Sequence, residues 1–412
     1  MSMRPPAWLL APLRSPAALR AVDRVALHAA PSAGGDGHVV LAPPGRGNIG
    51  DQALVEAFVE AVEGPVTVIV RAPDDIDIPE RLAPRMRTVA LPALVYGSAV
   101  GRARDLRRLN SAVAGAATFA ILGADIMDGA YVARASVGRA LLARRFAELG
   151  WDCRVIGFSW NAAPAAVALD ALRSADRAGS VLYVRDPRSA ERARGDGLRA
   201  QDSADIVFTA ASRDPGVVDR LLPDLAPEEP LALVNASGLV GARLGGYADA
   251  IRRLRESGRR VLIVPHVSRH GADDIPLCTA LADVFAADAG VVLVPELLTP
   301  PEIRSLGARA SVVVTGRMHL AVMSLTAGTP ALTVATQGKV EGLMDLFGTP
   351  ELCIAPGDDF DHDLPAAVQA VIAQEDSLRS RILAARDEVV SRAWRNVDGM
   401  AAAIPDSDEV AA

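Results

Sequence analysis

Aromatic residues are scarce in this chain, in which Phe, Trp and Tyr together occupy only 4% of the 412 positions. Positive charge is not in excess either, since the formal net charge is −7 at pH 7. Proteins that bind nucleic acid generally use basic surfaces, and those that bind single strands add aromatic side chains on which bases stack. The composition therefore argues against nucleic acid as the main partner.

Cysteine and long apolar runs are also lacking. The three cysteines, Cys153, Cys278 and Cys353, lie far apart and fit neither a disulfide framework nor a zinc site. No apolar run approaches the roughly 20 residues that cross a bilayer, and the N-terminal segment has no compact signal-peptide core. These features predict reduced thiols and a cytoplasmic location.

Short apolar runs that alternate with helical patterns occur along most of the chain. This alternation is typical of a parallel α/β architecture, in which buried strands read as continuous apolar segments. The predicted strands are residues 38–42, 66–70, 88–91, 118–122, 154–158, 181–184, 205–208, 231–234, 261–264, 291–294, 311–314 and 331–334.

A stretch rich in Pro and acidic residues, 212–230, predicts a linker between two halves. We expect an N-terminal extension (1–36), an N-terminal Rossmann-like domain (37–215) and a C-terminal Rossmann-like domain that carries the anion site (228–375). A helix over 376–404 follows and is expected to cross back to the first domain. Two parallel α/β domains facing across a cleft, where a ligand would sit, is the most economical architecture.

Two cations are predicted at helix N-termini. Arg317 and His319 follow the strand at 311–314 and open a helical pattern, and Lys339 repeats this placement one strand later. A cation at the positive end of a helix dipole is unfavourable by up to about 1 kcal/mol. A phosphate or carboxylate bound in the turn would remove the conflict. The alternatives are a solvated Arg317, a His319 satisfied within its helix and a surface Lys339.

Polar residues follow two strands of the first half. Asn48 and Asp51 stand in a glycine-rich loop that contains no Walker-type Gly-Lys-Ser/Thr sequence. They are expected to line the cleft and contact the acceptor or the donor phosphate, or else only to cap a helix. Asp125 and Asp128, with Tyr131, follow the strand at 118–122. They could bind sugar hydroxyls or act as a base, or equally cap the next helix.

Two further strand ends carry candidate ligands. Arg185 is a candidate anion ligand, with an ion pair to Asp186 or a capping arrangement as the alternatives. His266 opens a segment that also holds two aspartates, which invites a metal interpretation. That signal is weak because the helical His-Glu-x-x-His pattern is missing. We favour substrate contacts for His266 and predict no metal.

Taken together, these loops resemble the polysaccharide pyruvyl transferase family. The matching segments are Gly47 to Leu54, Gly123 to Asp128, Val184 to Asp186 with Ser189, Pro265-His266, and Gly316 to His319 with Gly328 to Pro330 and Lys339. They fall within about residues 38 to 350. One departure is Ala124, where the family often has another glycine.

The resemblance implies a cytosolic enzyme with two Rossmann-like domains in a GT-B-like, metal-independent arrangement. It implies transfer of pyruvate from phosphoenolpyruvate to a sugar as a ketal, with no cofactor. Arg317 and Lys339, with Arg185, would bind the donor's phosphate and carboxylate. His319 would protonate the enol methylene. Asp125 or Asp128 would deprotonate the acceptor hydroxyl.

Two other classes of function share these features. A GT-B-type glycosyltransferase that uses a nucleotide sugar would have the same architecture, because a fold does not determine function. A non-catalytic carbohydrate-binding protein would not need Arg317, His319 and Lys339 together. The expected partners are phosphoenolpyruvate and a glycan, or a lipid-linked or nucleotide-linked sugar. Peripheral membrane proximity and homo-oligomerisation are left open.

Overall fold

The computed structural model describes residues 15–32, 35–238, 240, 243–335 and 338–400. The chain divides into two compact units. Of the described residues, the first unit takes those up to 44, 58–203 and 395–400. The second unit takes 45–57 and the described residues of 204–394.

Within its described residues, the first unit is built on a seven-stranded parallel sheet with the order β3-β2-β1-β4-β5-β6-β7. The interior strand β1 pairs with β2 on one side and β4 on the other, so that His38 lies beside Val66 and Thr118. The strands are β1 (Gly37–Leu41), β2 (Val66–Val70), β3 (Met86–Ala90), β4 (Ala116–Ala124), β5 (Asp152–Phe158), β6 (Val181–Val184) and β7 (Ala200–Asp202).

Helices connect these strands. They are α1 (Pro16–Ala26), α2 (Ile49–Ala61, which begins in the second unit), α3 (Ala93–Tyr96), α4 (Ala99–Ala112), α5 (Ala133–Glu148), α6 (Ala166–Ala178) and α7 (Pro187–Gly195), with a 3₁₀ turn at Arg395–Val397. Helix α7 begins as its sequence predicts, because the Asp186 carboxylate caps the Ser189 N–H and a proline occupies the first helical position.

The second unit contains, in its described part, a six-stranded parallel sheet with the order β10-β9-β8-β11-β12-β13. Its strands are β8 (Leu231–Asn235), β9 (Arg260–Ile263), β10 (Val291–Leu293), β11 (Ala310–Thr315), β12 (Ala331–Val334) and β13 (Cys353–Ile354). Its helices are α8 (Val217–Leu221), α9 (Leu244–Glu256), α10 (Ile275–Asp283), α11 (Pro300–Arg309), α12 (Met318–Leu325), α13 (Lys339–Phe347), α14 (Phe360–Ala373) and α15 (Glu375–Trp394).

The central strands of both sheets are buried along their whole length, as in β1, β2 and β8. Each fully buried Val or Leu side chain stabilises the fold by roughly 1.5–3 kcal/mol relative to an exposed one. In each sheet the chain reverses its strand order once, between β1 and β4 and between β8 and β11. Ligands of open α/β sheets bind outside the carboxyl ends of the strands at such points.

The predicted α/β class, with two parallel sheets, is confirmed. The strand predicted at 205–208 is wrong: residues Ile206–Thr209 form a 3₁₀ helix whose N-terminus is capped by Asp205. A run of only three apolar residues, here 206–208, does not by itself distinguish a strand from a buried helical turn. Here the preceding aspartate, a strong capping residue, was the signal for a helical turn.

The boundaries of the two units differ from the predicted domains. The units divide between Ser203 and Ala204 rather than within 212–230, and the glycine-rich loop is grouped with the second unit. The predicted extension includes α1, whose Leu19 and Ala26 lie in the core of the first unit, as does Leu27 directly after it. Helix α15 belongs to the second unit, while residues 395–400 return to the first.

Two of the cysteine thiols, those of Cys153 and Cys278, are buried. Burial raises the pKa of each to about 12, so both side chains act as small apolar groups at neutral pH. In the part of the chain that the structure describes, no helix has the length and apolar character needed to span a membrane.

Candidate active site

Asp274 is the centre of a hydrogen-bond network in the second unit. Its carboxylate is fully buried and accepts main-chain N–H bonds from His266 and Val267, both at 3.1 Å, and from Gly238 at 3.0 Å. The Asn235 side-chain amide adds a bond of 3.0 Å. One carboxylate thus joins the loops that follow β8 and β9.

Arg317 is held by the same carboxylate. Its Nη2 lies 2.6 Å from Asp274 Oδ1, its Nε lies 3.1 Å from Asp274 Oδ2, and Nη2 also donates to the Ala272 carbonyl at 2.6 Å. Only 7% of the residue is exposed. Arg317 precedes α12, as the sequence predicted. The anion expected at this turn is therefore present within the protein itself, and ligand binding by Arg317 stays a prediction.

His319 stands in the first turn of α12, and its Nε2 lies 3.4 Å from Oδ2 of Asp205. Asp205 is buried, and its other oxygen accepts the Val207 N–H. Gly50 packs against the imidazole, because a Cβ built there would lie 2.2 Å from His319 Nδ1. A fixed carboxylate on one side and a glycine on the other therefore restrict the orientation of the ring.

His266 is 1% exposed, and neither of its ring nitrogens has a hydrogen-bond partner among the described residues. Burial lowers the pKa of His266 well below its ordinary value, with smaller contributions from nearby His319 and Arg317. The ring is therefore neutral at pH 7, with one N–H donor and one acceptor. Buried polar groups without partners are rare in native proteins, so this pair of nitrogens indicates a place for a water or a ligand.

The glycine-rich loop packs on the loop that follows β9. Asn48 forms an antiparallel bridge with Val267, and the Ile49 N–H donates to the His266 carbonyl at 3.2 Å. The Asn48 Oδ1 accepts the Gly50 N–H at 3.0 Å, which caps α2. Asn48 therefore caps the helix, as the alternative interpretation predicts. A ligand role for Asn48 stays a prediction, and only its side-chain amide N–H groups are left to contact a ligand.

Two further contacts hold the glycine-rich loop against the loop that follows β9, one a close backbone approach and the other an ion pair. Gly47 has a φ of 67°, and a Cβ there would lie 2.0 Å from the Ser268 carbonyl oxygen, so only glycine fits. Asp51 is buried, and its Oδ2 lies 3.5 Å from Nη1 of Arg269. Its predicted contact with the acceptor or the donor phosphate stays a prediction.

Lys339 is the first residue of α13 and is half-buried. Gly338 before it adopts the left-handed conformation, with φ 74°. The preceding Thr336 and Gln337, which belong to the same predicted loop, lie outside the described residues. Since β12 pairs with β11, Lys339 and Arg317 follow the carboxyl ends of neighbouring strands, as the sequence predicted.

The loop that follows β4 belongs to the first unit. Asp125 accepts the hydroxyl of Tyr131 at 3.1 Å, and Asp128 accepts the Ala130 N–H at 2.9 Å. Burial raises the pKa of Asp128, and the neighbouring Asp125 adds to this effect. Carboxyls with raised pKa values are candidates for proton transfer. The Ala130 bond lies within the loop and does not cap α5, whose N-terminus at Val132 has no side-chain cap. The capping alternative is therefore wrong, and a role for either carboxylate toward a substrate stays a prediction.

Arg185, also in the first unit, is buried within a polar network. Its Nε donates to Ser159 Oγ at 2.8 Å, and its main-chain N–H donates to the Phe158 carbonyl at 3.1 Å. Asp186 beside it accepts the Ser189 N–H and hydroxyl at 2.7 and 2.6 Å. Burial raises the pKa of Asp186, although Arg185 opposes the change. These contacts give Arg185 a structural role, and anion binding stays a prediction.

A family model for polysaccharide pyruvyl transferase matches residues 48–338, which is more than half of the chain. The chain belongs to the polysaccharide pyruvyl transferase family. The match begins at Asn48, in the glycine-rich loop, and includes both Arg317 and His319. It ends one residue before Lys339. The resemblance predicted from the sequence is therefore confirmed.

Solved structures similar to this pyruvyl transferase include sucrose-phosphate synthase from Thermosynechococcus elongatus, with 14% identity and a TM-score of 0.54 over 88% of this chain and 96% of that one. UDP-GlcNAc 2-epimerase from Methanocaldococcus jannaschii has 10% identity and a TM-score of 0.54 over 81% and 91%. Anabaena HepE in complex with UDP-glucose has 12% identity and a TM-score of 0.56 over 88% and 98%. These likenesses show the GT-B fold class alone.

The second unit of the pyruvyl transferase contains most of the predicted site residues, namely Asn48, Asp51, His266, Arg317, His319 and Lys339, while Asp125, Asp128 and Arg185 belong to the first unit. Among the residues described, no group of three or more His, Cys, Asp or Glu side chains is arranged to hold a metal ion.

Sequence reasoning missed Asp205 and the role of Asp274. The strand predicted at 205–208 includes Asp205, whereas in the structure Asp205 caps a 3₁₀ turn. Asp274 is one of the two aspartates in the weak metal pattern that follows His266. Its place immediately before Ile275 and a proline was a readable signal for a helix N-terminus, and α10 does begin there.

Proposed function

We propose that this pyruvyl transferase takes pyruvate from phosphoenolpyruvate and attaches it to two hydroxyls of a sugar as a ketal. The observation that carries the proposal is the pair His266 and His319 beside Arg317. A buried neutral imidazole with unpartnered nitrogens stands near a second imidazole whose orientation is restricted by Asp205. The family membership supports pyruvyl transfer, and the donor and the ketal product are the proposal.

Phosphoenolpyruvate carries a phosphate and a carboxylate, which require several donors in one place. In the proposal, Lys339 at the N-terminus of α13 and Arg317 at the N-terminus of α12 bind these groups. Arg317 can do so through Nη1, since its Nε and Nη2 are engaged by Asp274 and Ala272. The N–H of neutral His266 supplies a further donor to the same ligand.

The chemical step begins with proton transfer. His319, in its protonated form, donates a proton to the methylene carbon of the enol and leaves an oxocarbenium-like centre at C2. A sugar hydroxyl attacks C2 and releases its proton to a base. A second hydroxyl of the same sugar then attacks C2, and phosphate leaves with the remaining proton. The products are the cyclic ketal and inorganic phosphate.

For the acceptor we propose a glycan, or a lipid-linked or nucleotide-linked sugar. Asp128 is the preferred base because burial raises its pKa, which favours proton acceptance nearer to neutral pH. Asp125, which is bonded to the Tyr131 hydroxyl, is the other candidate. Asn48, Asp51 and Arg185 complete the set of proposed substrate contacts.

The test is incubation of the protein with phosphoenolpyruvate and a panel of sugar acceptors. Phosphate release and a pyruvylated product detected by mass spectrometry would support the proposal. Thermal unfolding provides a separate test, because a ligand that binds only the folded state raises the melting temperature. Stabilisation by a nucleotide sugar without any by phosphoenolpyruvate would favour glycosyl transfer instead.

A further inference from the structure

Arg139, in α5 of the first unit, is a buried arginine whose hydrogen-bonding capacity is largely unused. It is 1% exposed, and its Nη2 donates to the hydroxyl of Tyr96 at 3.0 Å. Its Nε and Nη1 have no partner among the described residues. A guanidinium has five N–H donors, so most of those of Arg139 are available.

Arg102 provides an internal comparison. It is also buried and lies close to the same helix, since it donates to the carbonyls of Leu94 and Gly138. However, Asp23 binds it through two bonds of 2.6 and 2.8 Å. For Arg139, no carboxylate lies within 4.0 Å in the described part of the chain. A buried charge without a counter-ion is strongly unfavourable, so the two arginines are not equivalent.

A second positive charge lies beside the same tyrosine. The Cζ of Arg139 is 5.4 Å from the centroid of the Tyr96 ring, and the Cζ of Arg71 is 5.8 Å from it. Arg71 follows the carboxyl end of β2, and its side chain is 47% exposed. Its nearest carboxylate, that of Asp75, also accepts the main-chain N–H groups of residues 71 and 72. The Asp75 carboxylate is thus shared between these N–H groups and the Arg71 side chain. Two guanidinium groups and one carboxylate leave an excess of positive charge around Tyr96.

We propose that Arg139, Arg71 and Tyr96 form a binding site for an oxyanion of the phosphate class, either inorganic phosphate or the phosphoryl group of a larger molecule. A tetrahedral oxyanion accepts hydrogen bonds in several directions and would supply the counter-charge that Arg139 lacks. The site belongs to the first unit, whereas the proposed donor residues Arg317 and Lys339 belong to the second. It does not depend on the proposed function.

The test is calorimetric titration of the full chain with inorganic phosphate, pyrophosphate or glucose 1-phosphate at constant ionic strength. Each titration is made with and without saturating phosphoenolpyruvate, so that phosphate bound at a donor site is recognised by competition. The variants are Arg139→Met, Arg71→Gln and Tyr96→Phe. Arg177→Gln is the control, because Arg177 is an exposed arginine at the end of α6 and the substitution removes the same charge.

We expect phosphate to bind the wild-type protein and the control equally, even with phosphoenolpyruvate present. Arg139→Met should weaken this binding by about ten- to a hundredfold, as expected for the loss of charged hydrogen bonds. The ligand-free Arg139→Met protein should also melt at a higher temperature than the wild type, because an unpaired buried charge is removed.

Two results would overturn the site: no phosphate-class ligand binds the wild type under these conditions, or Arg139→Met binds as tightly as Arg177→Gln. If Arg139→Met does not fold, Arg71→Gln and Tyr96→Phe decide, and unchanged affinity in both rejects the proposal. Binding of glucose 1-phosphate without binding of inorganic phosphate would identify the phosphoryl group of a larger ligand as the occupant.

Discussion

The Oδ1 of Asp274 lies 2.6 Å from Nη2 of Arg317, across a separation of 43 residues in the chain. The same carboxylate accepts the main-chain N–H groups of His266 and Val267. The charge of Arg317, at the N-terminus of α12, is therefore neutralised by Asp274, which lies in the same loop as the buried His266. We therefore expect a change at Asp274 to affect the positions of His266 and Arg317 together.

Asp274→Asn should destabilise the second unit. The substitution leaves the buried guanidinium of Arg317 without a counter-ion, and breaking a buried ion pair in this way costs about 3–5 kcal/mol. Urea unfolding measures the loss. Asp283→Asn, at an exposed position in α10, is the matched control and should change the free energy of unfolding by less than about 0.5 kcal/mol. A loss below about 1 kcal/mol for Asp274→Asn would show that the pair contributes little.

His319→Ala should abolish turnover without preventing donor binding. A positioned general acid contributes roughly 10²- to 10⁴-fold in rate, while the proposed donor anion contacts come from other residues. Turnover with a genuine acceptor and phosphoenolpyruvate affinity are measured together. Gly50→Ala is a second variant, because its Cβ would lie 2.2 Å from His319 Nδ1 and displace the ring. Wild-type turnover in His319→Ala would disprove the proposed acid.

Lys339→Ala should mainly weaken donor binding. Loss of one charged hydrogen bond is worth roughly 1.5–3 kcal/mol, or about ten- to a hundredfold in affinity. Lys339 is a better probe than Arg317, whose removal would also leave Asp274 buried without its partner. Calorimetry with phosphoenolpyruvate gives the affinity. If affinity were unchanged and turnover fell instead, Lys339 would act on the transition state rather than on the bound donor.

Much of the fold could be predicted from the sequence because strands buried on both faces are uniformly apolar. The predicted strands 66–70, 181–184 and 331–334 coincide with β2, β6 and β12. The run 205–208 could not be assigned in this way, since its three apolar residues, 206–208, fit a buried 3₁₀ turn equally well. The boundary between the two units depends on tertiary contacts. It therefore could not be predicted from the composition of 212–230.

For the site, the sequence placed side chains at strand ends but could not pair them. It located Arg317 at a helix N-terminus. The carboxylate that pairs with Arg317, that of Asp274, lies in the loop that follows a different strand, β9. His319 and Asp205 are likewise joined only by folding. Periodicity reports which face of an element is buried, whereas side-chain pairing between loops depends on how those loops fold back over the sheet.

Ala124→Gly should be tolerated, although Ala124 is buried at the end of β4. It is the one non-glycine residue with positive φ in the described part of the chain, at 44°, and this conformation costs an alanine about 1–2 kcal/mol. Relief of that cost should offset the lost methyl burial and the greater flexibility of glycine. Unfolding in urea should show a change within about 0.5 kcal/mol. Ala120 is buried within the same strand but has no positive φ. Ala120→Gly should therefore lower the free energy of unfolding by more than about 1 kcal/mol.

Asp128→Asn should stabilise the protein at neutral pH and impair turnover. Burial raises the folded-state pKa of Asp128, so the folded protein binds this proton more tightly than the unfolded chain. The associated stability is present at low pH and is lost as pH rises through the folded pKa. Asparagine can still accept the Ala130 N–H but carries no charge to desolvate.

The free energy of unfolding of Asp128→Asn should therefore exceed that of the wild type near pH 7. The difference should shrink as pH falls towards about 4, the usual value for an aspartate in an unfolded chain. Urea unfolding between pH 4 and pH 8 measures it, with Asp170→Asn, at an exposed position in α6, as the control. A difference that is independent of pH would show that the ionisation of Asp128 is not its cause. Unimpaired turnover in a more stable variant would remove Asp128 as the proposed base and leave Asp125 in that role.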